Sequence, residues 1–249
     1  MLAAERKHSI AEMIRLQKRV AVSELKCAFG VSDETIRRDL AELEGQGILK
    51  RTFGGAILNE DERRETPYDV RKREGVAAKL NIAAKVAGLI RDGEFLMIDE
   101  SSTSFFVSKQ LKQLKNLTII TNSMETVAEV ADVPGWKVLC TGGEKRASAP
   151  SFAGRIAETM VRSYHVQTAI ISCGSLDLEA GFSDRHEDTA LIKRAMMASA
   201  ERVILAADSS KLDRLAFAKI GDISEIDTLV TDKKPGGRWL DALGAKLIY

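Results

Sequence analysis

The spacing of apolar residues changes near residue 60 and divides the chain into two parts. Before this point, apolar residues recur at helical spacing within residues 10–16, 22–29 and 36–43, which predicts three short helices. Gly45 and Gly47 end the third pattern, and residues 48–58 are typical of two short strands around a glycine turn. Residues 1–58 are therefore predicted to form three helices followed by a two-stranded wing.

Beyond residue 76, short β-rich runs alternate with helical patterns. The runs are residues 95–99, 117–121, 137–142, 168–174, 202–208, 228–232 and 245–249. Most are apolar throughout, as in strands buried on both faces, so the alternation predicts a Rossmann-like α/β domain whose parallel sheet is covered by helices. In open α/β sheets the ligand lies beyond the carboxyl ends of the strands, and we expect the polar residues there to share a crevice.

A charged segment separates the two patterns. Residues 59–75 are mostly charged and include Pro67, which is typical of a solvated linker or an exposed helix. The predicted organisation is a small N-terminal domain (1–58), a linker (59–75) and a larger C-terminal domain (76–249).

Composition narrows the class of protein. The 249 residues include 37 Lys and Arg against 36 Asp and Glu, so any nucleic-acid contact has to be local rather than held by bulk charge. Three widely separated cysteines predict neither disulfides nor a zinc cluster, and no nucleotide-binding glycine motif is present, so we expect neither metal nor cofactor. No apolar stretch approaches the roughly 18 residues of a membrane span, and the charged N-terminal region excludes a signal peptide. We expect a cytoplasmic protein without a membrane partner.

The second and third predicted helices are joined by a turn with helix-turn-helix spacing, in which Gly30 precedes Ser32, a possible helix cap. If the apolar positions of the third helix face the core, its opposite face carries donors suited to the DNA major groove. The candidate DNA contacts are Ser32, Glu34, Thr35, Arg37 and Arg38 on this helix, and Lys50 and Arg51 on the wing. The alternative is that these are only solvated charges, but the order of helices, capped turn and wing favours DNA recognition.

Hydroxyl-bearing residues follow the predicted strands that end at Asp99 and Thr121. Backbone N–H groups at a helix N-terminus hold a phosphate well together with such hydroxyls, and glycines after later strands permit close approach of a ligand. The candidate ligand contacts are Asp99, Ser101, Ser102, Thr103, Thr121, Asn122, Ser123, Gly142, Gly143, Gly174, Glu187, Asp208 and Lys211. For each of these residues taken alone, helix capping or turn formation is the alternative explanation.

Two other polar side chains, Lys193 and Cys173, are not counted among the candidate ligand contacts. Lys193, beside Arg194, is interpreted as part of an exposed basic turn or as a border of the crevice. Cys173 is interpreted as a small buried thiol, because no base is identifiable for it.

Residues 1–58 resemble the DeoR-type winged helix-turn-helix through VSELKCAFGVSDETIRRDLAELEGQGILKRTFGGA. Residues 65–249 resemble the effector-sensing domain of the same family through DESST, TNS, TGGEKRASAPSFAG, EDTALIKRAM, DSSK and LVTD. The resemblance implies a bacterial transcriptional regulator, most often a repressor, that binds operator DNA as a homo-oligomer and senses a phosphorylated sugar or polyol. It also implies a sensor fold similar to ribose-5-phosphate isomerase and glucosamine-6-phosphate deaminase.

Two positions depart from the family pattern. Phe53 replaces a histidine of the wing, and Ser101 stands where the first sensor loop usually has glycine. Because a Cβ atom restricts φ, the second change predicts an altered loop geometry.

Two other functions compete with that of a repressor. Asp208 and Lys211 could supply acid–base chemistry to a sugar-phosphate isomerase or deaminase fused to a DNA-binding module. A weaker alternative is a structural protein whose winged helix binds another protein.

Overall fold

The computed structural model of the chain describes residues 3–45, 48–58 and 66–249, which divide into two compact units between Pro67 and Tyr68. Gly47 and residues 59–65 of the predicted linker lie outside the described residues. The last part of that predicted linker is not a plain connector, because Tyr68–Arg73 form a helix that belongs to the second unit. Among the described helices, none is long and apolar enough to cross a membrane.

The first unit packs helices on a small antiparallel sheet. Its elements are α1 (Ala3–Gln17), β1 (Arg19–Ala21), α2 (Val22–Phe29), α3 (Asp33–Gly45), β2 (Leu49–Thr52) and β3 (Gly55–Leu58). The predicted helices and the wing hairpin are confirmed, whereas strand β1, which pairs with β3, was not predicted from the apolar spacing. Gly55 permits this pairing, because a side chain there would overlap the Val20 carbonyl oxygen of β1.

The core of the first unit consists of the apolar side chains that helical spacing placed on one face of each helix. Its fully buried members include Ile10, Ile14, Leu25, Ile36 and Leu40. A buried ion pair also joins α1 to α3, with Arg6 Nε 2.6 Å from Asp39 Oδ2. The orientation of α3 is therefore fixed by both apolar packing and a directional contact.

The second unit alternates strands and helices along the chain. Its elements are α4 (Tyr68–Arg73), α5 (Val76–Ala87), β4 (Phe95–Ile98), α6 (Ser102–Gln110), β5 (Thr118–Thr121), α7 (Met124–Val130), β6 (Lys137–Cys140), β7 (Glu144–Lys145), β8 (Phe152–Ala153), α8 (Gly154–Arg162), β9 (Val166–Ile171), β10 (Ser175–Asp177), β11 (Gly181–Asp184), α9 (Glu187–Ala198), β12 (Ala200–Ala206), β13 (Ala218–Gly221), β14 (Thr228–Val230), α10 (Gly237–Leu243) and β15 (Leu247–Ile248). Short 3₁₀ turns occupy Leu111–Gln113, Ser209–Lys211, Ile223–Glu225 and Gly244–Lys246.

The predicted parallel sheet is confirmed. Within the described residues it has seven strands in the order β15-β14-β12-β9-β4-β5-β6, and every neighbouring pair is parallel. Each of the predicted runs coincides with one of these strands. The chain progresses from β4 to β5 and β6 on one side and to β9 and later strands on the other, so the order reverses between β4 and β9. This switch point is where a ligand crevice is expected in an open α/β sheet.

Helices cover both faces of the sheet, as the apolar runs predicted. Ile98 and the buried side chains of α5, α6 and α7 form one core, whereas Met97 and those of α8, α9 and α10 form the other. Alternate residues of one strand thus enter opposite cores, which is why the strand sequences are apolar at consecutive positions.

Two small antiparallel sheets were not predicted. One has the order β10-β11-β13, and the other pairs β7 with β8. Their strands are two to four residues long and include polar residues, so they give little periodic signal. Strand β13 also pairs with a strand more than thirty positions earlier in the chain, at Ser183 opposite Lys219.

Candidate functional site

Helix α3 presents the polar face predicted for DNA recognition. Ser32 Oγ accepts a hydrogen bond from the Thr35 N–H at 3.3 Å and so caps the start of the helix, and it lies 3.0 Å from Thr35 Oγ1. Glu34, Arg37 and Arg38 are exposed on the helix surface. The arginines therefore have the exposure that contact with base edges requires, while Ser32 and Thr35 also have a structural role.

The wing is attached to α3 through one of the predicted DNA-contact residues. Glu44 accepts hydrogen bonds from the backbone N–H and the Nε of Arg51, at 2.8 and 2.7 Å, and these bonds lower the pKa of Glu44. Lys50 is exposed beside it, and the Phe53 side chain at the tip of the wing is fully exposed. Arg51 thus fixes the position of the wing, whereas Lys50 and Phe53 project from it.

In the second unit, Asp99 joins the ends of the two strands at the switch point. Its carboxylate is completely buried and accepts hydrogen bonds from the backbone N–H groups of Ser101, at 3.1 Å, and Ser172, at 2.9 Å. Lys193 Nζ lies 3.1 Å from Asp99 Oδ2 and 2.6 Å from Asp184 Oδ2. Asp99 therefore connects the loop after β4, the loop after β9 and helix α9.

The interpretation of Lys193 as an exposed basic turn was wrong. The residue lies within α9 and is 2% exposed. Burial alone would lower its pKa, but Asp184 and Asp99 raise the pKa above its ordinary value and keep the ammonium charged. A signal was present in the sequence, because Ala190 and Met196, three positions to either side, place Lys193 on the buried face of a predicted helix.

The start of α6 offers donors suited to an anion. Ser101 caps the helix, with its Oγ accepting from the Ser104 N–H at 3.0 Å. Among the described residues, the hydroxyls of Ser102 and Thr103 have no hydrogen-bond partner, and first-turn N–H groups have no acceptor within a helix. The hydroxyl and backbone N–H groups of Ser102 and Thr103 are thus available to bind an anion at the start of α6.

The backbone at Ser101 does not show the altered loop geometry that the replacement of glycine predicted. Ser101 has φ −67° and ψ 153°, an extended conformation open to any residue. Serine here is unstrained and adds a capping oxygen that glycine lacks.

A second buried cluster lies at the end of β5, the neighbour of β4. Asn122 Nδ2 donates to Glu100 Oε2 and to the Phe152 carbonyl, both at 2.9 Å, and Arg146 lies 3.7 Å from Glu100. Burial raises the pKa of Glu100, against the lowering effects of the nearby lysine and arginine. Thr121 and Ser123 accept backbone hydrogen bonds here, from the N–H groups of Ser123 and Thr126 respectively.

Polar atoms without partners accumulate around this edge of the sheet. Buried polar atoms in folded proteins nearly always have a hydrogen-bond partner, so a group of exceptions suggests a place for water or a ligand. In the described part of the chain, the buried atoms without a partner include Tyr68 OH, Asn122 Oδ1, Thr126 Oγ1, Ser151 Oγ and Thr189 Oγ1. Asn122, Thr126 and Ser151 meet where residues 150–152 cross the end of β5, through the bond from the Met124 N–H to the Pro150 carbonyl and the bridge of Ser123 with Ser151.

Other predicted contacts differ in how far the structure connects them to the crevice. Asp208 and Lys211 follow β12 and lie near Cys173 at the end of β9, where their charges act on its pKa. Burial is the main cause that raises the pKa of Cys173 to about 12, which agrees with its interpretation as a buried thiol. Glu187 is exposed at the first position of α9.

The predicted glycines have packing roles of their own. A Cβ atom at Gly143 would lie 2.7 Å from the Ala153 carbonyl oxygen, and Gly142 and Gly143 both have positive φ. At Gly174 it would lie 2.9 Å from Asp184 Oδ1. The positive φ of Gly142 and the close contacts at Gly143 and Gly174 account for these glycines without a ligand.

A groove of about 570 Å³ occupies the opposite, amino-terminal edge of the sheet and includes Arg91, Glu94 and Arg202. Arg202 and Glu94 lie 3.5 Å apart in it. None of the partnerless polar atoms named above lines this groove. The carboxyl edge is therefore the better candidate for ligand binding.

Sequence comparison agrees with this two-part architecture. A model of the DeoR-like helix-turn-helix domain matches residues 6–62, and a model of the DeoR C terminal sensor domain matches residues 74–233. The uncharacterized HTH-type transcriptional regulator YulB of Bacillus subtilis (strain 168) is 36% identical and covers 93% of this chain and 90% of its own.

Relatives with named regulatory roles align over similar lengths. The L-fucose operon activator of Haemophilus influenzae is 31% identical over 90% of either chain, and the glycerol-3-phosphate regulon repressor of Escherichia coli (strain K12) is 31% identical over 94% of this chain and 93% of its own. Among solved structures, ribose 5-phosphate isomerase A from Methanocaldococcus jannaschii aligns over 54% of this chain and 53% of its own, with 15% identity and a TM-score of 0.40. By its two domain matches and by relatives of more than 30% identity along nearly its whole length, the chain belongs to the DeoR family of DNA-binding transcriptional regulators.

Proposed function

We propose that this protein represses a sugar or polyol catabolic operon, and that a phosphorylated sugar or polyol bound at the carboxyl edge of its sheet changes its affinity for operator DNA. The observation that carries the effector proposal is the group of buried polar atoms without partners beside the donors of Ser102 and Thr103. Those donors suit the phosphate, because helix N-termini and hydroxyls bind anions. Asn122 Oδ1, which has no partner in the protein, suits the hydroxyl groups of the sugar as an acceptor.

DNA recognition is assigned to α3 and the wing. Arg37 and Arg38 are exposed and have the guanidinium geometry that binds guanine O6 and N7 with two hydrogen bonds. Lys50 would contact phosphate, and Arg51 would position the wing through Glu44. We expect at least a dimer, because a symmetric operator presents half-sites about 34 Å apart or a multiple of that distance.

Effector control requires unequal affinities. A ligand that binds the DNA-bound and DNA-free states equally shifts nothing, so the effector has to favour one arrangement of the sensor units. We propose that the predicted linker, residues 59–75, carries this difference along the chain.

We also propose that the crevice has no enzymatic activity. Lys193 would be a poor proton donor near neutral pH, because Asp184 and Asp99 raise its pKa. Asp208 Oδ1 accepts hydrogen bonds from the N–H group, at 3.0 Å, and the hydroxyl group of Ser210, which gives this carboxylate a structural role in the turn after β12. Incubation with sugar phosphates, followed by NMR, should show no turnover.

The test is fluorescence anisotropy with a labelled duplex from the promoter of the protein's own operon. We expect specific binding that one member of a panel of sugar phosphates weakens, and Arg38→Ala should cost about 1–3 kcal/mol of operator affinity and relax sequence preference. Arg155→Ala, which removes an exposed arginine from α8 in the other unit, is the matched control. An unchanged operator profile in Arg38→Ala would remove Arg38 from recognition, and a complete lack of response to the panel would contradict the effector class.

A further inference from the structure

Tyr68 is a buried tyrosine whose hydroxyl group has no partner. It is the first residue of α4, lies before the matched sensor domain and is 3% exposed. Among the described residues, no hydrogen-bond partner reaches its hydroxyl. Buried tyrosines normally satisfy this group, so an unused hydroxyl indicates a partner from outside the chain.

Helix α4 packs against α6, the helix whose first turn carries Ser102 and Thr103. Lys72 of α4 fixes this position, because its ammonium lies 4.0 Å from the centre of the Phe105 ring of α6 and forms an ion pair with Glu125 of α7. Tyr68 is thus held by an element attached to the starts of both helices that border the crevice.

The hydrogen-bonding capacity of the Tyr68 hydroxyl indicates which part of a ligand it would contact. Burial raises its pKa, and the carboxylates of Glu125, Asp99 and Asp69 raise it further, against a lowering effect of Arg71. The phenol therefore stays protonated. Glu125 and Asp99 already form ion pairs with Lys72 and Lys193, so they do not act as free negative charges here. A protonated phenol can both donate to and accept from the hydroxyl groups of a sugar, whereas it can only donate to the oxygens of a phosphate dianion.

We propose that the Tyr68 hydroxyl binds the sugar portion of the effector rather than its phosphate, and that effector binding is thereby coupled to the segment joining the two units. The inference rests on the proposed effector class. Its physical basis is that Tyr68 directly follows residue 67, where the two compact units divide, so a contact at its hydroxyl fixes the first turn of α4 at the end of that connection.

The test compares full-length wild type with Tyr68→Phe, which removes one oxygen atom, and with Tyr164→Phe, an exposed tyrosine, as matched control. Thermal shift and calorimetry would use the member of a sugar-phosphate panel that most stabilises wild type, and inorganic phosphate as the second probe. We expect Tyr68→Phe to bind the sugar phosphate about tenfold more weakly, to respond to inorganic phosphate as wild type does, and to bind operator DNA normally without effector.

Apo stability is the readout that separates a ligand contact from a structural role. Because the hydroxyl has no partner in the protein, its removal should leave the apo Tm unchanged or raised. A fall of several degrees, an unchanged affinity for the sugar phosphate or an equal loss of affinity for inorganic phosphate would each overturn the inference. If no member of the panel stabilises wild type, the proposed effector class itself is wrong, and this result is distinct from a failure confined to Tyr68→Phe.

Discussion

At the scale of single residues, the chemistry of the sensor unit depends on buried charges whose partners come from distant parts of the sequence. Asp99 and Asp184 lie 85 positions apart and meet at Lys193, and Glu100 meets Arg146 and Asn122. A buried ion is tolerated only where such partners replace water. The residues themselves were visible in the sequence, but their pairing was not.

Glu100 provides a prediction about pH. Burial raises its pKa, so the folded state holds this proton more tightly than the unfolded chain. The resulting stabilisation is present below the unfolded pKa, about 4.3, and is lost as pH rises through the folded pKa. Glu100→Gln stays neutral and should not show this loss, so its free energy of unfolding should rise relative to wild type as pH increases from 4 towards 7.

Urea unfolding at several pH values measures this difference. Glu179→Gln, at an exposed position of the same unit, is the control and should differ from wild type by a constant amount. A constant or decreasing difference for Glu100→Gln would contradict the raised pKa.

At the scale of elements, short strands depend on close backbone approach more than on side-chain pattern. Strand β1 has three residues and exists because β3 presents Gly55 to it. Helix ends depend on similar local details, since Ser101 and Ser123 each cap the helix that follows a sheet strand. Such caps were recognised in the sequence only as alternatives to ligand contacts, because one hydroxyl group can serve either purpose.

Gly55→Ala tests the wing at this scale. The added methyl group would overlap the Val20 carbonyl oxygen, so β1 and β3 have to separate. We expect a loss of about 1–3 kcal/mol in the free energy of unfolding, the usual range for an overpacked site, together with weaker operator binding. Gly54→Ala is the matched control, because nothing lies within 4 Å of its added atom. Equal stability of the two variants, by circular dichroism during thermal unfolding, would rule out this role of Gly55.

At the scale of the whole molecule, the proposed regulation makes a thermodynamic prediction. If the effector weakens operator binding by a given factor, operator DNA has to weaken effector binding by the same factor, because the two binding events share one free-energy cycle. Calorimetric titration of the effector into free and operator-bound protein measures that factor, and anisotropy gives the reciprocal value. Unequal factors would show that effector and DNA do not act through one equilibrium.

The two-unit architecture, the helices of the DNA-binding unit and the strands of the parallel sheet were all predictable from the amino-acid sequence alone. These features follow from the local periodicity of apolar residues, in segments long enough for the pattern to recur several times. The family was predictable as well, because the motifs of both units are nearly continuous in the sequence.

By contrast, the structural roles of the candidate residues and the absence of partners for some polar atoms became visible only in the folded chain. Lys193 forms buried ion pairs, Ser101 caps a helix, and Arg51 attaches the wing to α3. Tyr68, which was predicted to lie in the linker, belongs to the sensor unit. The physical reason is that hydrogen bonding and burial depend on distances between segments far apart in the chain, which periodicity along one segment cannot encode.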